Sequence, residues 1–128
     1  MADDRQRQAL LLIAHGSRQE EANADLSHVA AAMARRGQYE IVEVSFLELA
    51  EPTIAQAAAA CVARGARRVI LLPYFLSAGM HVRRDLAEIR RQLSEEHPQV
   101  EFRLAEPLGP HPLLVEIVAE RARAAERG

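Results

Sequence analysis

The chain has 128 residues, 49% hydrophobic and 27% charged; that fits one globular domain, leaves no room for a second of ordinary size and argues against wholesale disorder. Sixteen basic residues against eighteen acidic give a formal net charge of −2, so there is no electrostatic case for nucleic acid as a partner. One cysteine, Cys61, excludes an intrachain disulfide and fits a reducing compartment. The opening Met1-Ala2-Asp3-Asp4-Arg5 lacks the charged-then-apolar layout of a signal peptide. The longest apolar run, Val69 to Leu76, falls well short of the roughly 20 residues that span a bilayer. The expectation is a soluble cytoplasmic domain with no membrane partner.

Four apolar runs alternate with four helical patterns. Ala9 to Ala14 reads as the first strand; Ala22, Leu26, Val29, Ala30 and Met33 then recur at the spacing of one helix face. Ile41 to Leu47 is the second strand, followed by Ile54, Ala57, Ala58, Cys61 and Val62 in helical period. Val69 to Leu72 is the third, followed by Val82, Leu86, Ile89 and Leu93. Val100 to Leu104 alternates polar with apolar, and Leu113, Leu114, Ile117 and Val118 follow it. Gly37 and Gly65 sit where helix C-caps belong, and Pro52 and Pro112 sit near helix starts.

The pattern is (βα)₄. Strands joined by helices run parallel, with right-handed crossovers. The first and third strands are almost wholly apolar and belong in the centre; the alternating fourth belongs at an edge. The prediction is a single flavodoxin-like three-layer sandwich over residues 1–128, core about 8–124, with a four-stranded parallel sheet in the order 2-1-3-4. In such sheets ligands bind beyond the carboxyl ends of the strands, at the switch point. His15-Gly16-Ser17-Arg18 and Ser77-Ala78-Gly79-Met80-His81 fall there, with Phe46-Leu47-Glu48 alongside.

His15, at a strand's end, is placed to face a ligand; its bland alternative is a histidine bonded to a loop carbonyl. Gly16 allows a tight turn and close backbone approach. Ser17 and its neighbours are placed to cap the first helix, and Arg18 to hold an anion. His81 is weak alone and stronger paired with His15, because two neutral imidazoles converging on one point suit a divalent transition metal. Glu48 supplies a carboxylate at the end of the second strand. Its rivals Glu43, mid-strand, and Glu51, before Pro52, read as solvated or capping carboxylates. His28, His97 and His111 read as bland, on a helix flank, in a turn and beside a helix start. Cys61 lies on an apolar stripe and reads as core.

Three linked motifs carry a resemblance. His15-Gly16-Ser17-Arg18 after an apolar strand, then Phe46-Leu47-Glu48-Leu49-Ala50-Glu51-Pro52-Thr53, then Pro73-Tyr74-Phe75-Leu76-Ser77-Ala78-Gly79-Met80-His81-Val82-Arg83-Arg84-Asp85 resemble the CbiX/SirB family of class II tetrapyrrole chelatases, from about Leu10 to the fourth helix. The length resembles the family's short form, whose members build a two-lobed site as homodimers. The resemblance implies insertion of Co2+ or Fe2+, or Ni2+ in an archaeal branch, into sirohydrochlorin for cobalamin or sirohaem synthesis. It places metal and proton handling on His15 and His81, with Glu48 as the family's glutamate. One departure is Asp85-Leu86-Ala87 where the family often has Asp-Ile-Pro, a change at a helix start and not at a ligand.

The residue types suit that chemistry. Insertion replaces two pyrrole N–H protons with one divalent ion, so no tightly bound cofactor is called for beyond the metal substrate. Imidazoles hold such an ion without burying negative charge and titrate near pH 6.5; a carboxylate takes the other proton or steadies the metal. Sirohydrochlorin is a polycarboxylate, and Arg18, Arg83 and Arg84, with Ser17, Ser77 and Gly79 in the flanking loops, are its candidate partners. No G-x₄-G-K-[ST] loop is present, in keeping with the ATP-independent class. Two rivals are a metal or tetrapyrrole carrier on the same fold and a histidine phosphatase. The latter has an arginine before its His-Gly, where this chain has Ala14.

Overall fold

Residues 7–128 are described by a computed structural model; the segment Met1-Ala2-Asp3-Asp4-Arg5 and its reading as no signal peptide lie outside them. β1 (Gln8–Ala14), β2 (Ile41–Phe46), β3 (Arg68–Pro73) and β4 (Glu101–Leu104) alternate with α1 (Glu20–Arg36), α2 (Ile54–Ala63), α3 (Met80–Glu96) and α4 (Pro112–Arg127). The strands form one parallel sheet in the order β2-β1-β3-β4. The two runs read as central are central, and the alternating one is an edge. Only strands covered on both faces gain from being apolar on both.

β1 carries the core on both sides. Ala9, Leu11 and Ile13 face Ala57, Ala58 and Cys61 of α2 and Leu86 and Leu93 of α3. Leu10 and Leu12 face Leu26 of α1 on the other side. The small side chains of α2 let its backbone lie close to the sheet. Ser45, a polar side chain with no exposure, donates its hydroxyl to the Leu12 carbonyl at 3.1 Å, so its burial leaves no hydrogen bond unmade. Burial pushes the Cys61 thiol up to about 12, with Glu43 adding in the same direction.

Local signals end the elements where expected. Gly37 caps α1 at φ 76° and Gly65 follows α2 at φ 96°, conformations a side chain disfavours. Thr53 caps α2 in a reciprocal box with Gln56, at 2.9 and 3.2 Å. Glu20 and Glu21 open α1 and Arg35 and Arg36 close it, each complementing the helix dipole. One expectation is met only in part. Leu113, Leu114, Ile117 and Val118 do lie on a helix, but no residue of α4 is buried. Helix packing on the sheet is made by α1, α2 and α3. Among the described residues no helix is long and apolar enough to cross a membrane.

Candidate active site

β1 and β2 run in register to the pair Ala14 and Phe46. Past that point Leu47 N–H donates to the Ala14 carbonyl and Glu48 N–H to the His15 carbonyl, each at 3.0 Å. The ladder therefore extends two residues beyond the strands and fixes Glu48 beside His15. The approach is so close that a Cβ on Gly16, which stands at φ 99°, would lie 1.7 Å from the Glu48 carbonyl oxygen. The close backbone approach expected at Gly16 is present, and glycine alone fits it.

His15 is exposed, yet its ring is not free. It stacks on Phe75 with centroids 4.1 Å apart and planes 18° from parallel. Phe75 is only 5% exposed, and its carbonyl accepts from Leu108 N–H at 3.0 Å. A rigid apolar surface from the β3–α3 loop thus sets the plane of the histidine on the β1–α1 loop. Sequence reasoning does not single out Phe75; the signal was an aromatic two residues past the end of a central strand.

His15 and Glu48 open into a cavity of about 460 Å³ whose far wall is α3, through Val82, Asp85, Glu88 and Gln92. Those residues recur at spacings of three and four and so share one helix face. His81 lies four residues before Asp85, on the same face one turn nearer the helix start, exposed and outside the cavity wall. The structure thus brings His15 and Glu48 into one cavity and puts His81 on the first turn of the helix that walls it. Asp85 and Glu88 are absent from the sequence-based candidates; their spacing from His81 was the available signal. Because α3 begins at Met80, Asp85-Leu86-Ala87 lies within the helix and Asp85 on the cavity wall, not at a helix start as its sequence suggested. Arg91 donates to Glu88 and holds its carboxyl below the usual range, so this carboxylate is ionised but compensated by the guanidinium beside it. Among the described residues no group of three or more His, Cys, Asp or Glu side chains is gathered to hold a metal.

The remaining candidates divide. Ser17 does not cap α1, whose N-cap is Gln19 without a side-chain bond. Ser17 shapes the turn instead: its hydroxyl accepts from Gln19 N–H at 3.1 Å, and its backbone exchanges bonds with the Asn23 amide at 3.0 and 2.8 Å. Asn23, two turns' reach away, is what holds this loop. Arg18 and Arg84 are exposed. Arg83 donates to the Ala78 carbonyl and to Glu106, each at 3.1 Å, tying the loop before α3 to the loop before α4. Its side chain stays half-exposed. Ser77 is exposed in that first loop, and Gly79 is the N-cap of α3 with nothing within 4 Å of a Cβ. The bland readings hold for the others: His28 is exposed on α1, His97 ends α3, His111 accepts at Nδ1 from Leu113 N–H at 3.1 Å as the N-cap of α4, and Glu43 pairs with Arg64 at 2.8 Å.

A family model described as CbiX matches residues 9–125. The chain belongs to the CbiX family. Similar proteins agree with that membership. The sirohydrochlorin ferrochelatase of Arabidopsis thaliana, a chloroplast protein, is 36% identical over 112 residues, 88% of this CbiX chain and 50% of the relative. The sirohydrochlorin cobaltochelatase of Sulfolobus acidocaldarius is 36% identical over 116 residues, 91% of this chain and 90% of the relative. The crystal structure of the sirohydrochlorin chelatase SirB from Bacillus subtilis subspecies spizizenii in complex with cobalt superposes with a TM-score of 0.85 at 29% identity, over 92% of this chain and 50% of that one. The CbiX chain spans half the length or less of several curated relatives it matches.

Proposed function

We propose that this CbiX chain inserts a divalent metal, Co2+ or Fe2+, into sirohydrochlorin without ATP, serving cobalamin or sirohaem synthesis. The observation that carries the reading is the shared cavity of His15 and Glu48 at the carboxyl ends of β1 and β2. Relatives that bear the names sirohydrochlorin ferrochelatase and cobaltochelatase support the choice of substrate and metals. Residues 8–124 act as one chelatase lobe.

In this reading the metal is a substrate that must be held and then released. His15, its plane set by Phe75, offers one nitrogen from an exposed ring. His81 offers a second from the start of α3. Glu48 accepts a pyrrole proton as the metal enters, and the carboxylate of Asp85 on the facing wall helps keep the cavity attractive to a cation. Arg18 and Arg84, exposed near the two loops, pair with carboxylates of the macrocycle, joined by the donors of Arg83 that Glu106 leaves free. Ser17, Ser77 and Gly79 form the loop surface on which the macrocycle lies.

The working form is a homodimer in the cytoplasm. One lobe offers one open side, a macrocycle has two faces, and a two-fold pair is the commonest way for a small chain to cover both. The buried free thiol of Cys61 suits a reducing compartment. The test is an anaerobic insertion assay with sirohydrochlorin and Co2+ and Fe2+ in competition, followed by the absorbance of the macrocycle. Many turnovers per chain are expected; uptake that stops at one metal or one macrocycle per chain would overturn catalysis in favour of a carrier.

A further inference from the structure

Leu49 stands at φ 64°, and among the described residues it is the one residue other than glycine in the left-handed region. Its place there is fixed from both sides. Glu48 N–H is bonded to the His15 carbonyl, and the Glu48 carbonyl lies against Gly16, so the peptide that enters Leu49 has little freedom. The Pro52 carbonyl then accepts from Phe46 N–H at 3.0 Å, so the chain has to turn back on itself between the two. It does so at Leu49. Glycine or asparagine makes such a turn readily; a leucine meets the clash of Cβ with the carbonyl oxygen.

The fold gives the leucine side chain nothing in return. Leu47 packs against the core beneath α2 and α3, and Ala50 against the core beneath α1. Leu49 lies outside both and is 54% exposed. A strained backbone that holds an apolar side chain in water is unfavourable on both counts, and such positions persist where a ligand uses them. Two more large apolar side chains stand exposed at this end of the sheet, Leu76 at 70% and Met80 at 67%. Apart from those of α4, these three are the large exposed hydrophobics among the described residues. Each adjoins a residue of the site: Leu49 follows Glu48, Leu76 follows Phe75, and Met80 precedes His81. The same end of the sheet carries Arg18 and Arg84, both exposed, and Arg83, half-exposed.

An apolar rim accompanied by guanidiniums complements a ligand that is flat and apolar across its face and carries carboxylates at its edge. A polycarboxylate macrocycle has that layout. We propose that Leu49 is a binding residue for the face of the macrocycle, with Leu76 and Met80 completing the apolar rim. This rests on the insertion reading above. The alternation of an extended strand sends adjacent side chains to opposite faces. The turn at Leu49 breaks that alternation, so that Glu48 and Leu49 serve one ligand, the carboxylate at its nitrogens and the leucine on its ring.

The test titrates metal-free sirohydrochlorin anaerobically into the full chain, followed by the absorbance of the macrocycle. Leu49→Asn and Leu49→Gly remove the apolar contact and suit the backbone; Leu49→Met keeps the contact. The first two should raise the macrocycle Kd roughly tenfold, the scale of covering half a leucine side chain. They should leave the metal KM unchanged and unfold in urea no earlier than the parent, since relief of the strain offsets the lost side chain. Leu49→Met should bind as the parent does. Parent-like binding by the asparagine and glycine variants overturns the assignment and leaves insertion standing. An earlier urea midpoint in both also overturns it, because Leu49 is then a structural residue. So does a changed sedimentation coefficient in Leu49→Asn, which would show the leucine covered by a second copy of the chain. Weakened binding in these variants beside a parent that never turns over supports the contact and overturns insertion. A parent that binds no macrocycle overturns both.

Discussion

The imidazole of His15 lies nearly parallel to the ring of Phe75, centroids 4.1 Å apart and planes 18° from each other. The exposed histidine is therefore oriented by a buried aromatic from a different loop. Stacked aromatic pairs contribute about 0.5–1.5 kcal/mol beyond their burial. Phe75→Leu keeps the volume apolar and removes the platform; the apparent metal KM should rise about two- to tenfold, with kcat less affected. Phe75→Tyr should restore it. The His15 ring protons, shielded by the stacked face, should move downfield in the leucine variant. Unchanged shifts together with an unchanged KM would remove Phe75 from the site.

His15→Ala and His81→Ala should each abolish insertion while leaving the far-UV spectrum and the unfolding transition intact, because both side chains are exposed and neither supports the core. Near-normal rates in both folded variants would refute the assignment of the two histidines.

Glu48 and Glu51 are three residues apart and predicted to differ. Glu48 lines the cavity with His15; Glu51 is exposed just before Pro52 and the α2 cap. Glu48→Gln should slow insertion by roughly 10²-fold or more, the scale of a general acid–base group. Glu51→Gln should leave the rate nearly unchanged. If the two variants slow the reaction alike, Glu48 has no special part.

Gly16 and Gly37 both stand at positive φ, 99° and 76°, but in different surroundings. Nothing lies within 4 Å of a Cβ at Gly37, so Gly37→Ala should cost only the backbone term, about 1–2 kcal/mol. Gly16→Ala adds a collision with the Glu48 carbonyl and should cost at least about 3 kcal/mol in urea unfolding. It should also lower the insertion rate, since relief of the clash moves Glu48 away from His15. Equal costs at the two positions would mean that the loops part without effort.

Cys61 makes stability depend on alkaline pH. Its thiol is pushed by burial from 9.0 up to about 12 in the folded chain, so the native state holds the proton that the unfolded state releases. The stabilising contribution is complete below pH 9 and is lost as pH rises from 9 toward 12. The urea midpoint should fall across that window more steeply than in Cys61→Ala. Every other group that ionises in that window is shared with the alanine variant, which subtracts it. Parallel curves would show that the thiol is not shielded.

Much of the molecule was legible in one dimension. Runs apolar on both faces fit central strands, so the places of β1 and β3 followed from pattern, and the order 2-1-3-4 from adding the right-handed crossovers of a flavodoxin-like sheet. Gly16 was legible as a close-approach position, and His15 and Glu48 as strand-end residues, because strand ends in parallel sheets all point to one edge. Cys61 and His111 were legible from their place on a stripe and beside Pro112.

What the tertiary structure decided were relations between segments distant in sequence. Which aromatic meets His15 depends on how far the β3–α3 loop folds back over β1, and that is set by its bonds to the loop before α4. That Asp85 and Glu88 join Glu48 depends on the rotation of α3 about its axis. That rotation is set by which of its apolar residues meet the core. Arg83 reads in the sequence as a partner for the macrocycle's carboxylates, and only the fold shows Glu106, twenty-three residues away, beside it. The apolar stripe of α4 shows the division best. Periodicity dictates that the segment is a helix with one face to bury, since that is a local property of side-chain spacing. Where the face goes depends on how the loop before α4 is held, with Gly109 packed against the Leu76 carbonyl, and in this structure the face stays exposed. That packing arises only when the chain has closed on itself.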